Sequence, residues 1–421
     1  METFTMNIPF TRPMPPSLRL LGSEIAELEE SGIFTNYGPV NARFEDALTR
    51  DMFGGHGACL TACNATIALM LAIRCVVARA DRARPRAAAD RSNRYALMPS
   101  FTFAAAAHAA DWAGLTPLFC DVDETDWAAS AAAEEELIDR YGAAIAVIVP
   151  YATFGNCIDL ARYERLSERT GIPVVVDAAA SLGSLDRTGE AFGARCPFPV
   201  VFSMHATKTF STAEGGVIHS TDLDLLEELR IMGNFGFGMP RSATMAGLNS
   251  KLSEIGALLA LARLRDFEAV VRHREELSIQ YRQSLPGWSF QQMRGVRCAY
   301  QFMPVLLPDH LDNCREALLA DLKARGIGAA SYFSPHVAAQ PYFAANSASG
   351  PLPVTEQLSR RMLSLPIWDG MTTADVVTVC DAVLDVCSRI APPASVPLAP
   401  RQRTYRVRHP QPVSAQQLEV S

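Results

Sequence analysis

Lys208 is the residue that the sequence most clearly marks for chemistry. The chain has three lysines among 38 lysine and arginine residues, and Lys208 closes the run Phe202–Lys208 just before the small residues Ala213–Gly216. A lysine amine can form a Schiff base and loses its proton readily when desolvated, whereas an arginine guanidinium does neither. Rarity alone leaves a covalent role and a leftover surface lysine equally open, so the neighbouring segments must decide.

Asp177 supplies a second reactive group. It follows the apolar run Val174–Val176, and a carboxylate at the carboxyl end of a buried strand lies where open α/β sheets bind ligands. Alone, such an aspartate is more often a helix N-cap. Lys208 follows the next predicted strand, and pyridoxal phosphate requires both a Schiff-base lysine and an acid on its pyridinium nitrogen. The pair therefore favours a pyridoxal phosphate site.

Three further segments could hold such a cofactor. Small residues from Thr61 to Thr66 open a helix, and a helix N-terminus with accessible N–H groups favours a phosphate, although this pattern is often only a cap. Ser203 adds a second hydroxyl at a strand end, or bonds to the backbone. Phe101 and Phe103 flank Thr102; either ring could stack on the pyridine, or both could belong to the core.

The elements that position these residues alternate along the chain. Short, apolar, β-branched runs are typical of strands buried on both faces of a parallel sheet, and helical stretches separate them, which predicts an α/β fold with a mostly parallel sheet. The predicted strands are 95–98, 117–120, 144–149, 174–176, 200–203 and 216–219. The predicted helices are 66–78, 103–113, 130–141, 160–169, 223–232 and the long 253–283.

The domain organisation follows from this pattern. Residues 1–275 are predicted to form an N-terminal segment and a large cofactor-binding domain, and residues 276–390 a smaller α+β domain. The Pro-, Arg- and Gln-rich residues 391–421 are predicted to be a flexible tail.

Composition excludes several classes of function. A net charge of −7 and a pI near 5.7 argue against nucleic acid as a partner. No signal peptide or membrane span is evident, and the ten cysteines lack paired spacing, which predicts reduced thiols in the cytoplasm. Histidine and cysteine spacing predicts no metal site.

Six segments in order resemble the successive blocks of the DegT/DnrJ-type nucleotide-sugar aminotransferases, which are fold type I enzymes dependent on pyridoxal 5'-phosphate. Their order along the chain is far more specific than any one block. The segments are Asn36–Glu45, Cys63–Thr66, Pro99–Phe103, Val176–Ala179, Phe202–Gly216 and Gly247–Glu254.

The resemblance implies a role for each matched residue. Lys208 would form the Schiff base and move the proton of the reaction, Asp177 would pair with the pyridinium, and Phe103 would stack on the ring. The phosphate would be held by Ala65, Thr66 and Ser203. Asn249 would reach the phosphate of a neighbouring subunit, which implies a homodimer with shared active sites.

Two positions depart from the family pattern. Ala65 replaces a usual glycine, which is tolerable if its backbone is helical, and Ala180 replaces a glutamine or histidine that contacts the phenolic oxygen of the cofactor. Family members that act as dehydratases have histidine in place of the lysine, so Lys208 favours transamination.

The implied reaction moves an amino group from glutamate or glutamine to a keto-sugar linked to a nucleotide. The segment Asn36–Pro39 resembles members that aminate C4 of 6-deoxy sugars, so Asn36 and Tyr37 are candidate substrate residues. His336 is another candidate, or a packed histidine at a domain interface. The alternatives are an aminocyclitol or other small ketone as acceptor, a lyase or dehydratase on the same fold, and a regulator that only binds the cofactor.

Overall fold

The computed structural model describes residues 7–84, 94–312 and 314–390, so the predicted tail 391–421 lies outside the described residues. The α-helices in this part are α1 (Gly22–Ser31), α2 (Pro39–Met52), α3 (Ala65–Ala83), α4 (Ala104–Trp112), α5 (Ala131–Tyr141), α6 (Leu160–Thr170), α7 (Leu223–Gly233), α8 (Glu254–Ser284), α9 (Arg315–Ala324), α10 (Pro341–Asn346), α11 (Pro353–Arg361) and α12 (Thr373–Ile390). The strands are β1 (Ala58–Ala62), β2 (Tyr95–Pro99), β3 (Thr116–Cys120), β4 (Ile145–Ile148), β5 (Val176–Asp177), β6 (Val200–Ser203), β7 (Gly216–Ser220), β8 (Ser289–Phe290), β9 (Met303–Leu306), β10 (Ala348–Ser349) and β11 (Met362–Leu365).

A large sheet forms the centre of the molecule. Its strand order is β10-β3-β2-β4-β5-β6-β7-β1, with single parallel bridges Ile148–Val174 and Tyr151–Asp177 joining the β4 and β5 halves. The only reversed strand in this described sheet is β7, which runs antiparallel to both β6 and β1. The predicted α/β fold with a mostly parallel sheet is therefore confirmed.

Helices cover both faces of this sheet because the strands are apolar on both sides. On one face, α2 and α8 pack with Phe44, Phe202 and Phe267 in a common core. On the other face, α3 and α4 pack against each other and bury small residues such as Ala72 and Ala107. The two layers hold the sheet rigid, so side chains at its edge occupy fixed positions.

The parallel strands bring their carboxyl ends to one edge. At β1, β2, β5 and β6 the chain leaves the sheet into a loop or a helix N-terminus. Asn64 caps α3 by accepting a hydrogen bond at its Oδ1 from the N–H of Ile67, and α4 begins directly after Phe103. This edge collects the segments that the sequence singled out.

The C-terminal part contains a second, antiparallel sheet of order β11-β9-β8. The helices α9 and α12 and the second half of α8 pack with it around Tyr281, Leu322 and Val379. Strand β10 instead pairs in parallel with β3 of the large sheet, although the predicted boundary assigned it to the small domain. The division of the chain at residue 275 stays a proposal.

Candidate active site

A cavity of about 540 Å³ lies at the carboxyl edge of the large sheet. Both parts of the chain contribute to its wall: the loops after β1, β2, β5 and β6 on one side, and the segments on either side of β9 on the other. Ligand sites in open α/β sheets lie at this edge, where loops from separate strands converge. The predicted residues that line it are Ala65, Thr66, Phe103, Asp177, Ser203 and Lys208.

Lys208 extends into this cavity from the turn after β6. Its backbone N–H donates to the carbonyl of His205 at 2.8 Å, and its Nζ donates to Oε1 of Gln301 at 3.0 Å. Burial lowers the pKa of Lys208 to about 8, and the negative charge of Asp177 partly opposes that shift. At pH 7 about one-tenth of an amine with this pKa is unprotonated, far more than for an ordinary lysine, and the unprotonated amine is the nucleophile.

Asp177 lies at the end of β5 with its side chain 2% exposed. Its Oδ1 accepts a hydrogen bond from the N–H of Ala179 at 3.0 Å. Burial raises the pKa of Asp177 to about 6, while that hydrogen bond and the positive charge of Lys208 act in the opposite direction. A carboxylate in such an apolar setting gains strongly from a cationic partner, such as a protonated ring nitrogen.

The N-terminus of α3 forms a cradle suited to an anion. Within the described residues no hydrogen bond engages the backbone N–H groups of Ala65 and Thr66, and the side chain of Thr66 is exposed in the cavity. Ser203 accepts at Oγ from the N–H of His205 at 3.3 Å, which leaves its own proton free to donate. Free N–H groups and hydroxyls at a helix N-terminus are the donors that a phosphate needs.

Gly216 allows this cradle to form. A Cβ placed there would lie 2.7 Å from the backbone carbon of Asn64 and 2.8 Å from the nitrogen of Ala65. Those distances are too short for any side chain, so β7 can lie this close to the cradle only with glycine at position 216. Ala65 itself is the first residue of α3, so the condition under which its methyl group is tolerable is met.

The structure separates the two phenylalanines that the sequence left equivalent. Phe101 is fully buried in an aromatic cluster with Phe154 and Phe333. Phe103 is 59% exposed and lines the cavity. A large apolar side chain left this open is available to stack on a planar ligand.

Four predicted residues do not line this cavity. Asn36 and Tyr37 lie in a separate surface groove formed by residues 32–39 and 42. Asn249 is exposed and forms a backbone bridge with Asn234. His336 is 8% exposed, with its Nδ1 2.8 Å from Oγ of Ser100. Within a single chain, none of these side chains reaches Lys208, and a substrate contact by His336 would require the buried ring to move.

Several cavity residues were missed in the sequence. They come from an aromatic cluster and from the segment before β9: Tyr151, Phe154, Gln301 and Phe302. His205 also lines the cavity, with its Nε2 3.6 Å from Oε1 of Glu214. Its position three residues before Lys208 was the only local signal for it.

The three lysines allow the pKa of Lys208 to be measured directly. In the cofactor-free protein with lysine labelled at Cε and Nζ, we expect three signals by NMR, one of which titrates with a midpoint near pH 8 because of burial. The signal is assigned by its loss in Lys208→Arg. A midpoint above pH 10 for Lys208 would contradict the desolvated environment.

Known proteins resemble this chain along most of its length. The model of the DegT/DnrJ/EryC1/StrS aminotransferase family matches residues 21–384. Protein Rv3402c of Mycobacterium tuberculosis is 33% identical over 383 residues, which cover 89% of each chain. The dTDP-4-amino-4,6-dideoxy-D-glucose transaminase of Escherichia coli is 25% identical over 383 residues, covering 90% of this chain and 98% of the relative.

Two solved structures are also similar to this chain over most of its length. A protein from Bacillus cereus named as a PLP-dependent aminotransferase superposes with a TM-score of 0.82 at 36% identity, covering 90% of this chain and 99% of the other. DesI, solved in the presence of its TDP-sugar product, superposes with a TM-score of 0.78 at 28% identity, covering 91% of this chain and 93% of the other.

In the described part of this chain, no helix combines the length and apolar character needed to cross a membrane.

Proposed function

The chain belongs to the DegT/DnrJ/EryC1/StrS aminotransferase family and is a pyridoxal 5'-phosphate-dependent aminotransferase, and from that premise we propose that it aminates a keto-sugar linked to a nucleotide, with glutamate or glutamine as donor. The observation that carries the proposal is the shared cavity of Lys208, Asp177 and the cradle at the start of α3. These are an amine, an acid and an anion site at one sheet edge.

The cavity residues fit the cofactor. Its phosphate suits the N–H groups of Ala65 and Thr66 with the hydroxyls of Thr66 and Ser203, and its ring suits the exposed face of Phe103. When bound, pyridoxal 5'-phosphate supplies an aldehyde for the amine and a protonated ring that accepts electrons. Asp177 would hold the proton on the ring nitrogen.

Lys208 has two tasks in this proposal. Its Nζ would hold the cofactor covalently, and as a free amine it would take a proton from the substrate carbon and return it. The lowered pKa of Lys208, about 8, suits the second task because a general base works best when its pKa lies near the working pH.

The acceptor is inferred from the relatives. The E. coli relative is named for a 4-amino-4,6-dideoxy sugar carried on dTDP, and DesI was solved with a TDP-sugar product. Together with the Asn36–Pro39 segment, these names support a 4-keto-6-deoxy sugar nucleotide as the acceptor.

The proposal is tested in two half-reactions. Purified protein loaded with cofactor is mixed with glutamate or glutamine, and loss of the visible cofactor band together with release of the keto acid reports amino donation. Nucleotide-linked 3-keto and 4-keto sugars and cyclitol ketones are then offered to the aminated enzyme. Turnover of a cyclitol ketone alone, or failure of both amino donors, would overturn the sugar-nucleotide proposal.

We also propose a homodimer whose two cavities are shared. Asn249 is exposed and lies outside the cavity of its own chain. Asn36 and Tyr37 lie equally apart from it, in a groove that also contains the exposed residues Ile33 and Phe34. Exposed apolar side chains beside polar site candidates support a surface that a second copy covers.

A mixing experiment tests the shared site. Lys208→Ala and Asn249→Ala are each expected to be impaired, the second through cofactor retention weakened about tenfold by a lost hydrogen bond to phosphate. Each hybrid dimer would contain one site with both an intact lysine and an intact asparagine, so it should have about half of the wild-type activity. Asn346→Ala, an exposed asparagine of α10, is the control. No restoration in mixtures shown to exchange subunits would contradict sharing.

A further inference from the structure

Gln301 is the polar side chain that contacts the reactive amine. It is 8% exposed, and its Oε1 accepts a hydrogen bond from Nζ of Lys208 at 3.0 Å. It lies 93 residues from Lys208, two residues before the start of β9 in the antiparallel sheet. The C-terminal part of the chain thus delivers one amide to the centre of the cavity.

The backbone around Gln301 is held from two sides. Arg274 of α8 donates from Nη1 to the carbonyls of Tyr300 at 3.0 Å and of Gln301 at 3.3 Å. Its Nη2 and Nε donate to Oδ1 of the partly buried Asp369 at 2.6 and 3.0 Å. On the large-sheet side, Thr209 donates from Oγ1 to the carbonyl of Ala299 at 2.8 Å. The residue after Lys208 and the residue two before Gln301 are therefore tied together.

We propose that Gln301 is a positioning residue that places Lys208 in the free protein and donates a hydrogen bond from Nε2 to the phenolic oxygen of bound pyridoxal 5'-phosphate. This inference rests on the proposed function. In pyridoxal 5'-phosphate the phenolic oxygen and the aldehyde are on adjacent ring carbons. Because Nζ of Lys208 would attach at the aldehyde, a side chain that contacts Nζ would also lie close to the phenolic oxygen. An amide has an acceptor for the ammonium and two donors for the oxygen.

The position after β5 that usually carries a glutamine or histidine cannot supply this hydrogen bond in this chain. Ala180 carries only a methyl group, is 3% exposed, and does not line the cavity. The titratable groups that share the cavity with Lys208 are Asp177, His205, Glu214, Tyr151 and Tyr332. Glutamine differs from all of them because it remains neutral and can both donate and accept at any pH.

The two hydrogen bonds proposed for Gln301 have opposite effects: the first raises the proton affinity of the free Lys208 amine, and the second lowers that of the nitrogen beside the phenolic oxygen. In the free protein, Oε1 stabilises the ammonium form of Lys208, so Gln301→Ala should lower the pKa of that amine. With cofactor bound, a donor to the phenolic oxygen stabilises negative charge there and weakens the hold of the neighbouring nitrogen on its proton. Gln301→Ala should therefore raise the pH midpoint of the visible band by about one unit, the effect of one hydrogen bond.

Gln301→Glu preserves the size of the side chain and separates the effect of its hydrogen-bond acceptor from the effect of its donor. The carboxylate keeps an acceptor for Lys208 but has no donor for the phenolic oxygen, so both midpoints should rise. Gln291→Ala is the matched control, since that glutamine is equally buried but donates to the carbonyls of Asp126 and Thr153 and does not line the cavity. It should leave both midpoints unchanged.

The readouts are the lysine NMR titration of the free protein and the spectrophotometric titration of the loaded protein, with circular dichroism to confirm folding. If the wild-type protein forms no visible band with the cofactor, the proposed function fails whatever Gln301 does. If the band forms and both Gln301 variants titrate like the wild type, the positioning role is overturned. Shifts of equal size in Gln291→Ala would also overturn it, because they would indicate a general packing effect.

Discussion

Lys208→Ala is expected to lower amino transfer by at least about 10⁴-fold and to abolish the visible band of bound cofactor. The variant loses the covalent attachment and the general base in one change, and acid–base catalysis alone contributes typically about 10²–10⁴-fold. The fold should persist, because the side chain ends in a cavity and, among the described residues, its only hydrogen bond is to Gln301. Rates and absorbance spectra are measured on protein saturated with cofactor.

Two control variants sharpen this result. Lys208→Arg keeps a positive charge near Asp177 but cannot form the covalent bond, so it should be as inactive as the alanine variant. Lys323→Ala removes an exposed lysine at the end of α9 and should behave like the wild type. Substantial activity in Lys208→Arg would show that the lysine acts only through its charge.

Asp177→Asn is expected to lower amino transfer by about 10²- to 10³-fold while leaving cofactor attached through Lys208. The amide oxygen can still accept from the N–H of Ala179, so the geometry of the β5 loop is preserved. The negative charge that holds a proton on the ring nitrogen is lost, and removing one such electrostatic contact in a buried site typically has an effect of this size. Single-turnover rates with glutamate measure it.

The same substitution should stabilise the cofactor-free protein. Burial raises the folded-state pKa of Asp177 to about 6, above its ordinary value near 4, so ionising it disfavours the native state. The gain should be absent below about pH 4, grow between about pH 4 and about pH 6, and level off above that at about 1–3 kcal/mol.

Chemical denaturation at several pH values measures this gain. Asp159→Asn is the control, an exposed aspartate whose Oδ1 also accepts a backbone N–H, in this case from Arg162 at the start of α6. Equal stability of the wild type and Asp177→Asn at pH 7 would show that the carboxylate of Asp177 is not strained by burial.

Removal of the Asp177 charge should also change the pKa of Lys208. Because the negative charge of Asp177 raises the pKa of the amine, the asparagine variant should show a midpoint below the wild-type value of about 8. An unchanged midpoint in the lysine NMR titration would indicate that the two groups do not sense each other.

The sequence alone was sufficient for the fold class and for six of the residues that line the cavity. Strands such as β4 and β6 are buried on both faces, so their apolar runs are recognisable without any partner. Parallel strands end at a common edge, so reactive residues that follow separate strands, as Asp177 and Lys208 do, are expected to meet there. These inferences use signals within short segments and a general property of parallel sheets.

Only the tertiary structure decided which side chains face the ligand. Phe101 and Phe103 have the same local signals, and packing against Phe154 and Phe333 buries the first and leaves the second open. Strand β10 is two residues long, and its pairing with β3 depends on a return of the chain that no local pattern encodes.

Gln301 is the clearest case of this difference. Nothing in the segment before β9 distinguishes it from an ordinary buried glutamine, and it contacts Lys208 only because α8 and the antiparallel sheet are docked on the large sheet. The sequence therefore determined that an amine and an acid share one sheet edge, because each follows its own strand. The third polar group comes from a separate packing unit, and its position is a property of how the two units fit together.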